Sequence, residues 1–248
     1  MCIRDRFRFQ QFTVVDDRAA MKIGTDAVLL GAWAPTREAK RILDIGTGCG
    51  IIALMLAQRT AKIHSTIGAI DIDEDAARQA VENFVASPWS ERLPCRHEEV
   101  HCSVQPFSIA KADYRFDLIV CNPPFFRFPG SLSEFSRNVA RHASRDERRQ
   151  LFESMYRLLD VNGRLCLVLP FQQLDSILEL CGSFGLCIWN RTDVRPTPNS
   201  SPKRVLLEFG TIDSGEKQVH SELIVETSRH QYSEDYANLT RDFHLRYV

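Results

Sequence analysis

The stretch RILDIGTGCGIIALMLAQRT, Arg41 to Thr60, decides the fold. After Arg41, the next four residues are an apolar run broken only by Asp44, suited to a strand buried on both faces. From Ile51 to Thr60 the apolar residues fall at helical spacing. Gly46, Gly48 and Gly50 stand between the two. They permit a tight strand-to-helix turn and let a ligand approach the backbone closely. The helix behind such a turn directs its N-terminal dipole at that ligand, which favours negative groups, carboxylates included. The G-x-G-x-G spacing differs from the G-x-G-x-x-G of dinucleotide folds.

Similar units follow. Residues 66–72 (TIGAIDI), 116–121 (FDLIVC) and 163–169 (GRLCLVL) read as buried strands. DEDAARQAVENFVA and SRDERRQLFESMYRLLD read as helices between them. Alternation of this kind implies an α/β protein with a mostly parallel sheet and right-handed crossovers. A helix over 171–182 and strands over 186–194 and 203–210 complete it. RPTPNSSPKR, between those last strands, reads as a hairpin tip. GTDAVLLGAWA reads as a helix capped by Thr25 or Asp26. Residues 222–246 suggest a strand and a terminal helix. The expectation is one domain: an extension and helix over 1–40, the catalytic sheet over 41–210, and a second extension over 211–248.

The chain has 248 residues, 44% hydrophobic and 25% charged, as in ordinary soluble domains. No apolar run has the length of a membrane span, no signal peptide opens the chain, and MCIRDR continues into no readable pattern. Eight cysteines without a C-x-x-C pair fit a reduced, cytoplasmic protein in which Cys49, Cys121 and Cys166 pack as small hydrophobes. A net charge of −1 exerts no global pull on nucleic acid, so any RNA binding must use local basic patches.

Two further features carry chemistry. The second strand ends in AIDID, which places Asp71 where a carboxylate accepts both ribose hydroxyls of an adenosine, with Ile72 beside the adenine. The strand over 116–121 runs from DLIVC straight into Asn122-Pro123-Pro124-Phe125-Phe126. A residue before proline is pushed out of the α region, and each proline fixes its own φ. The Asn122 side-chain oxygen and the Pro123 carbonyl are thereby held as paired acceptors, the preorganisation that electrostatic catalysis needs. Phe125 adds a face for stacking. The arrangement is a clamp for a flat, amino-bearing group, with Pro124 and Phe126 completing its substrate side.

The glycine turn and Asp71 resemble motif I and the ribose-binding acid of class I S-adenosylmethionine-dependent methyltransferases. Asn122 to Phe125 match the [DNS]-P-P-[YFW] signature of amino-methyltransferases. From about residue 7 to 248, QFTVVDDRAAMKIGTDAVLLGAWA, RILDIGTGCG, IALMLAQRT, SPW, FDLIVCNPPF, RTDV, RVLLEF and HQYSEDYANLTRDF recur in the order seen in bacterial tRNA1(Val) (adenine37-N6)-methyltransferases. The resemblance implies a Rossmann-like sheet of seven strands in order 3-2-1-4-5-7-6, the last antiparallel, with helices on both faces. It implies S-adenosyl-L-methionine as cofactor, held by Asp44, Gly46, Gly48, Gly50, Asp71 and Ile72. The substrate it implies is an adenosine beside the anticodon, and a loop nucleotide flips out at little cost.

This sequence departs from the family at three points. Phe125 stands where tyrosine is frequent, and Cys49 where serine is. Glu98 and Glu99 occupy the region where an aspartate usually meets the cofactor's adenine amine. Lys22, Thr25 and Asp26, in KIGTD, align with a segment that closes over cofactor or substrate, and read equally as a helix start. Arg137 and Arg141 suit phosphates near the flipped base, while Arg145, Arg148 and Arg149 fit a solvated helix face. Arg195, Lys203 and Arg204, with Arg8, Arg18 and Lys22, are weaker basic candidates. Cys95, His97, His101 and Cys102 superficially suggest zinc, but no metal is expected. The rivals are the same chemistry on an rRNA base or a protein glutamine amide, and a non-catalytic cofactor-binding module that binds RNA.

Overall fold

Ile42, Leu43 and Asp44 are wholly buried because their strand lies inside a sheet covered on both faces. The computed structural model describes residues 6–17, 23–93, 115–123, 146, 148–211 and 218–243. Two short strands, Arg6–Arg8 (β1) and Thr13–Val15 (β2), pair antiparallel ahead of helix Thr25–Trp33 (α1). The quoted stretch forms strand Arg41–Ile45 (β3), the glycine turn and helix Ile51–Arg59 (α2). Strand Thr66–Ile70 (β4), helix Glu74–Val85 (α3) and strand Phe116–Cys121 (β5) follow. Residues 148–158 are helical (α4), and lead into strand Leu159–Pro170 (β6) and helix Leu174–Ser183 (α5). Strands Cys187–Arg195 (β7), Arg204–Gly210 (β8) and Val219–Ile224 (β9), a two-stranded ribbon and helix Glu234–Thr240 (α6) complete the described chain.

The main sheet runs β4-β3-β5-β6-β8-β7-β9. Only β8 is antiparallel to its neighbours. The run from β4 to β7 reproduces the expected 2-1-4-5-7-6, and the segment with Glu98 and Glu99, where the expected third strand ends, lies outside the described residues. Beyond the expected order, β9 adds a parallel edge strand beside β7. The strand pair around the Pro/Ser loop is the expected hairpin.

Alternation along the strands divides the core. Ile42, Leu118, Val120, Cys166, Val168 and Leu206 pack with α1 and α2, while Leu43, Ile119, Cys121, Leu165, Leu167 and Leu207 pack with α4 and α5. Cys49, Cys121 and Cys166 are free and buried, and burial raises each thiol's pKa. No helix among the described residues is long and apolar enough to cross a membrane.

One capping expectation needs correction. The N-cap of α1 is Gly24, with no side-chain cap. Asp26 instead accepts from Arg204 Nε at 2.8 Å, because the start of β8 lies beside the helix and a charged donor outcompetes a backbone amide. At the other end of α1, the Arg59 guanidinium donates to the Gly31 and Ala34 carbonyls at 2.9 and 2.6 Å, a cation placed where the helix dipole favours one.

Candidate active site at the carboxyl edge of the sheet

Three parallel strands end side by side. Ile45 pairs with Ile70 on one side and Cys121 on the other, so Asp71, Gly46 and Asn122 leave three adjacent strand ends. The Gly46 and Thr47 amides donate to the Ile70 carbonyl at 2.9 and 3.0 Å and fix the turn against β4.

Gly46, Gly48 and Gly50 have φ of 72°, 57° and 84°, the left-handed region that favours glycine. Their surroundings differ. A Cβ on Gly50 would collide with the Phe84 ring, so this glycine lets α3 pack against the turn. A Cβ on Gly46 or Gly48 would meet nothing within 4 Å, which leaves an open cradle over bare backbone.

Asp71 closes one side of that cradle. Its Oδ2 accepts from the Gly48 amide at 2.7 Å and its Oδ1 from the Asp73 amide at 2.9 Å. Each oxygen keeps a further lone pair for a ligand hydroxyl. Asp73 in turn caps α3, accepting from Asp75 and Ala76. Ile72 is 82% exposed, a large aliphatic side chain standing in water beside the carboxylate.

Asp44 supports the turn from below. It is wholly buried, and its Oδ2 accepts from Thr47 Oγ1 at 2.7 Å and from the Ala53 amide in the first turn of α2 at 3.2 Å. Burial, only partly offset by those two bonds, raises its pKa from 3.8 to about 7. A folded-state value above the unfolded one contributes stability below about pH 4 that is lost as pH rises through about 7. Ligand-free protein is therefore expected to lose on the order of 2 kcal/mol between pH 5 and pH 8 through this group. Denaturant titrations check this: the loss should vanish in Asp44→Asn, and an equal pH slope in that variant would refute the assignment.

On the other side of the cradle, Asn122 continues the alternation that puts Leu118 and Val120 on the α1–α2 face. Its Oδ1 is buried with no hydrogen-bond partner among the described residues. An orphaned buried acceptor costs about 1–3 kcal/mol, which a donor from outside would relieve. Pro123 is buried.

The structure thus brings together Asp44, Gly46, Gly48, Gly50, Asp71, Ile72, Asn122 and Pro123. Thr25 and Asp26 stand farther along the same edge, lining a cavity with Lys203 and Arg204. Lys22, Glu98, Glu99, Pro124, Phe125, Phe126, Arg137, Arg141 and the Cys95–Cys102 cluster lie outside the described residues. Two supporting residues escaped the sequence reading. Asn83 on α3 donates to the Val15 and Cys49 carbonyls at 2.9 and 2.8 Å and accepts from the Val15 amide, tying β2 to the glycine turn. The buried Asp16 accepts from the Ile23 amide at 2.6 Å, which fixes the approach to α1. A polar residue on an otherwise apolar helix face was the only available signal, and only for Asn83.

Residues 18–187 match the family model described as a methyltransferase small domain. The chain is 43% identical to the tRNA1(Val) (adenine(37)-N6)-methyltransferase of Flavobacterium johnsoniae, over 97% of this chain and 99% of the relative. It is 41% identical to the enzyme of that name in Bacteroides fragilis, over 97% and 98%. Among solved structures, a predicted O-methyltransferase from Agrobacterium tumefaciens superposes with a TM-score of 0.61 over 88% of this chain and 96% of its own. At 20% identity that likeness concerns the fold alone.

Proposed function

The chain belongs to the tRNA1(Val) (adenine(37)-N6)-methyltransferases, within the methyltransferase small-domain family, and from this we infer that it methylates N6 of adenosine 37 in tRNA1(Val). The observation that carries the residue assignment is the buried Oδ1 of Asn122, without a partner among the described residues, beside the open glycine cradle.

The residues present fit S-adenosyl-L-methionine. Asp71 has lone pairs for two ribose hydroxyls, Ile72 offers an exposed apolar face for adenine, and the N-terminus of α2 favours the amino-acid carboxylate. Gly46 and Gly48 leave the backbone bare where the ligand must come close. When bound, the cofactor would supply an electrophilic sulfonium methyl for an amine lone pair.

The chain's own task is to make N6 nucleophilic. The amine lone pair is delocalised into the ring, and acceptors aimed at its two N–H bonds favour a pyramidal nitrogen. Asn122 Oδ1 takes one N–H and the Pro123 carbonyl the other. By its sequence Pro123 fixes its own φ and so holds its carbonyl before substrate arrives, and Phe125 is the residue assigned to stack on the base. Once methylated, the cationic nitrogen is acidic and loses one of its two protons without a strong base. A tRNA substrate places this activity in the cytoplasm.

Purified protein given S-adenosyl-L-methionine and a tRNA1(Val) transcript is expected to form N6-methyladenosine, detected by nucleoside mass spectrometry. A transcript with guanosine at position 37 should accept none. Transfer to an rRNA fragment or a glutamine peptide instead would overturn the substrate assignment. Cofactor binding without any transfer would indicate a non-catalytic module.

A further inference from the structure

The Pro/Ser hairpin tip found no role in the site above, yet it rises from the same edge of the sheet. Between it and the start of α1 lies a cavity of about 300 Å³, large enough for one nucleotide. Leu29, Val194 and Pro196 give it apolar walls, Thr25 and Thr197 line it with hydroxyl side chains, and its charged lining is Lys203 and Arg204 with Asp26 and Glu226, of which Asp26 is paired with Arg204.

Its walls are held in place. The Thr197 amide donates to Ser200 Oγ at 3.0 Å, and Ser200 Oγ donates back to the Thr197 carbonyl at 2.8 Å. The Glu226 amide donates to the Pro196 carbonyl at 2.9 Å. Arg204 is oriented by Asp26 and also donates from Nη1 to the Lys203 carbonyl at 3.1 Å. Lys203 is exposed. The N-terminus of α1, which has no side-chain cap, opens beside this basic pair.

Position decides what such a cavity holds. Val168 pairs with Leu206 and Pro170 with Arg204, while Cys121 pairs with Leu167. Arg204 therefore stands two strands across and two residues above Asn122, on the order of 12 Å away along the backbone. Both residues continue the alternation toward the α1–α2 face, as Val120 and Leu206 show. A slot for one nucleotide at this distance from the amine clamp serves a chain whose target base has been turned out of its stack.

We propose that this cavity is a second nucleotide subsite, which takes the base of a loop nucleotide flanking the methylated adenosine while Lys203 and Arg204 meet its phosphate. It rests on the reading of the protein as a tRNA methyltransferase. Apolar walls suit a base face, and the basic pair suits the backbone.

The test uses the full chain and anticodon stem-loop RNAs. Lys203→Glu should raise KM for RNA about tenfold and lower the slope of log KM against log salt by roughly 0.7–1. Cofactor affinity should not change. Thr197→Trp, which fills the cavity, should lower kcat/KM about tenfold on the intact stem-loop but add nothing when one flanking base has been removed. Unchanged KM and salt slope in Lys203→Glu, or equal effects of Thr197→Trp on intact RNA and on both abasic RNAs, would overturn the subsite while leaving the methyltransferase standing. Absence of transfer to RNA by the unaltered protein would overturn the underlying reading first, and the subsite with it.

Discussion

Replacing Asn122 by alanine is expected to lower kcat for tRNA methylation by about 10²–10³ while leaving the cofactor's Kd within about twofold. The magnitude is that of removing one preorganised group that stabilises charge as it develops. Among the described residues Oδ1 has no donor, and the incoming amine supplies one. For the same reason, alanine should not destabilise the ligand-free protein, since no hydrogen bond to Oδ1 from a described residue is lost. Asn122→Asp retains an acceptor and should recover about tenfold over alanine. Single-turnover methylation with saturating cofactor and tRNA measures the step directly. A rate in Asn122→Ala within threefold of the unaltered protein would remove the clamp from the mechanism.

The second large effect belongs to Asp71. Asp71→Ala is expected to weaken S-adenosyl-L-methionine binding about 100-fold or more, since hydrogen bonds to a charged group contribute about 1.5–3 kcal/mol each and two are at stake. Part of the loss is indirect. The carboxylate also holds the Gly48 amide at 2.7 Å, so its removal loosens the turn over which the cofactor lies. Asp71→Asn keeps an acceptor for the Gly48 amide and for one hydroxyl, and should lose only about tenfold. Isothermal titration separates the three proteins. Equal affinities would show that the ribose is held elsewhere.

These two residues differ in how they could be found. Asp71 was legible because it follows a strand by the spacing seen in adenosine-binding folds, and Asn122 because two prolines after an apolar run have few other uses. The structure adds their relation: the paired registers of Ile45 with Ile70 and Cys121 set both beside Gly46. The same holds for the glycines. Their left-handed turn was readable, but the division of labour, with Gly50 making room for Phe84 while Gly46 and Gly48 stay open, depends on where α3 packs.

The Arg41–Thr60 stretch by itself determined a strand, a turn and a helix, because burial period and glycine content are local properties of the chain. The order from β4 to β7 came from the family resemblance and not from any local pattern, and the observed sheet reproduces it. Only the tertiary structure decided that Asp26 reaches Arg204 across 178 positions, that Asn83 braces the turn, that Asp44 is buried enough to hold its proton near neutrality, and that β9 closes the far edge. Each of these depends on which side chain arrives from a distant segment. Local pattern sets what a residue prefers, and the packed fold decides which partner, or which absence of water, it meets.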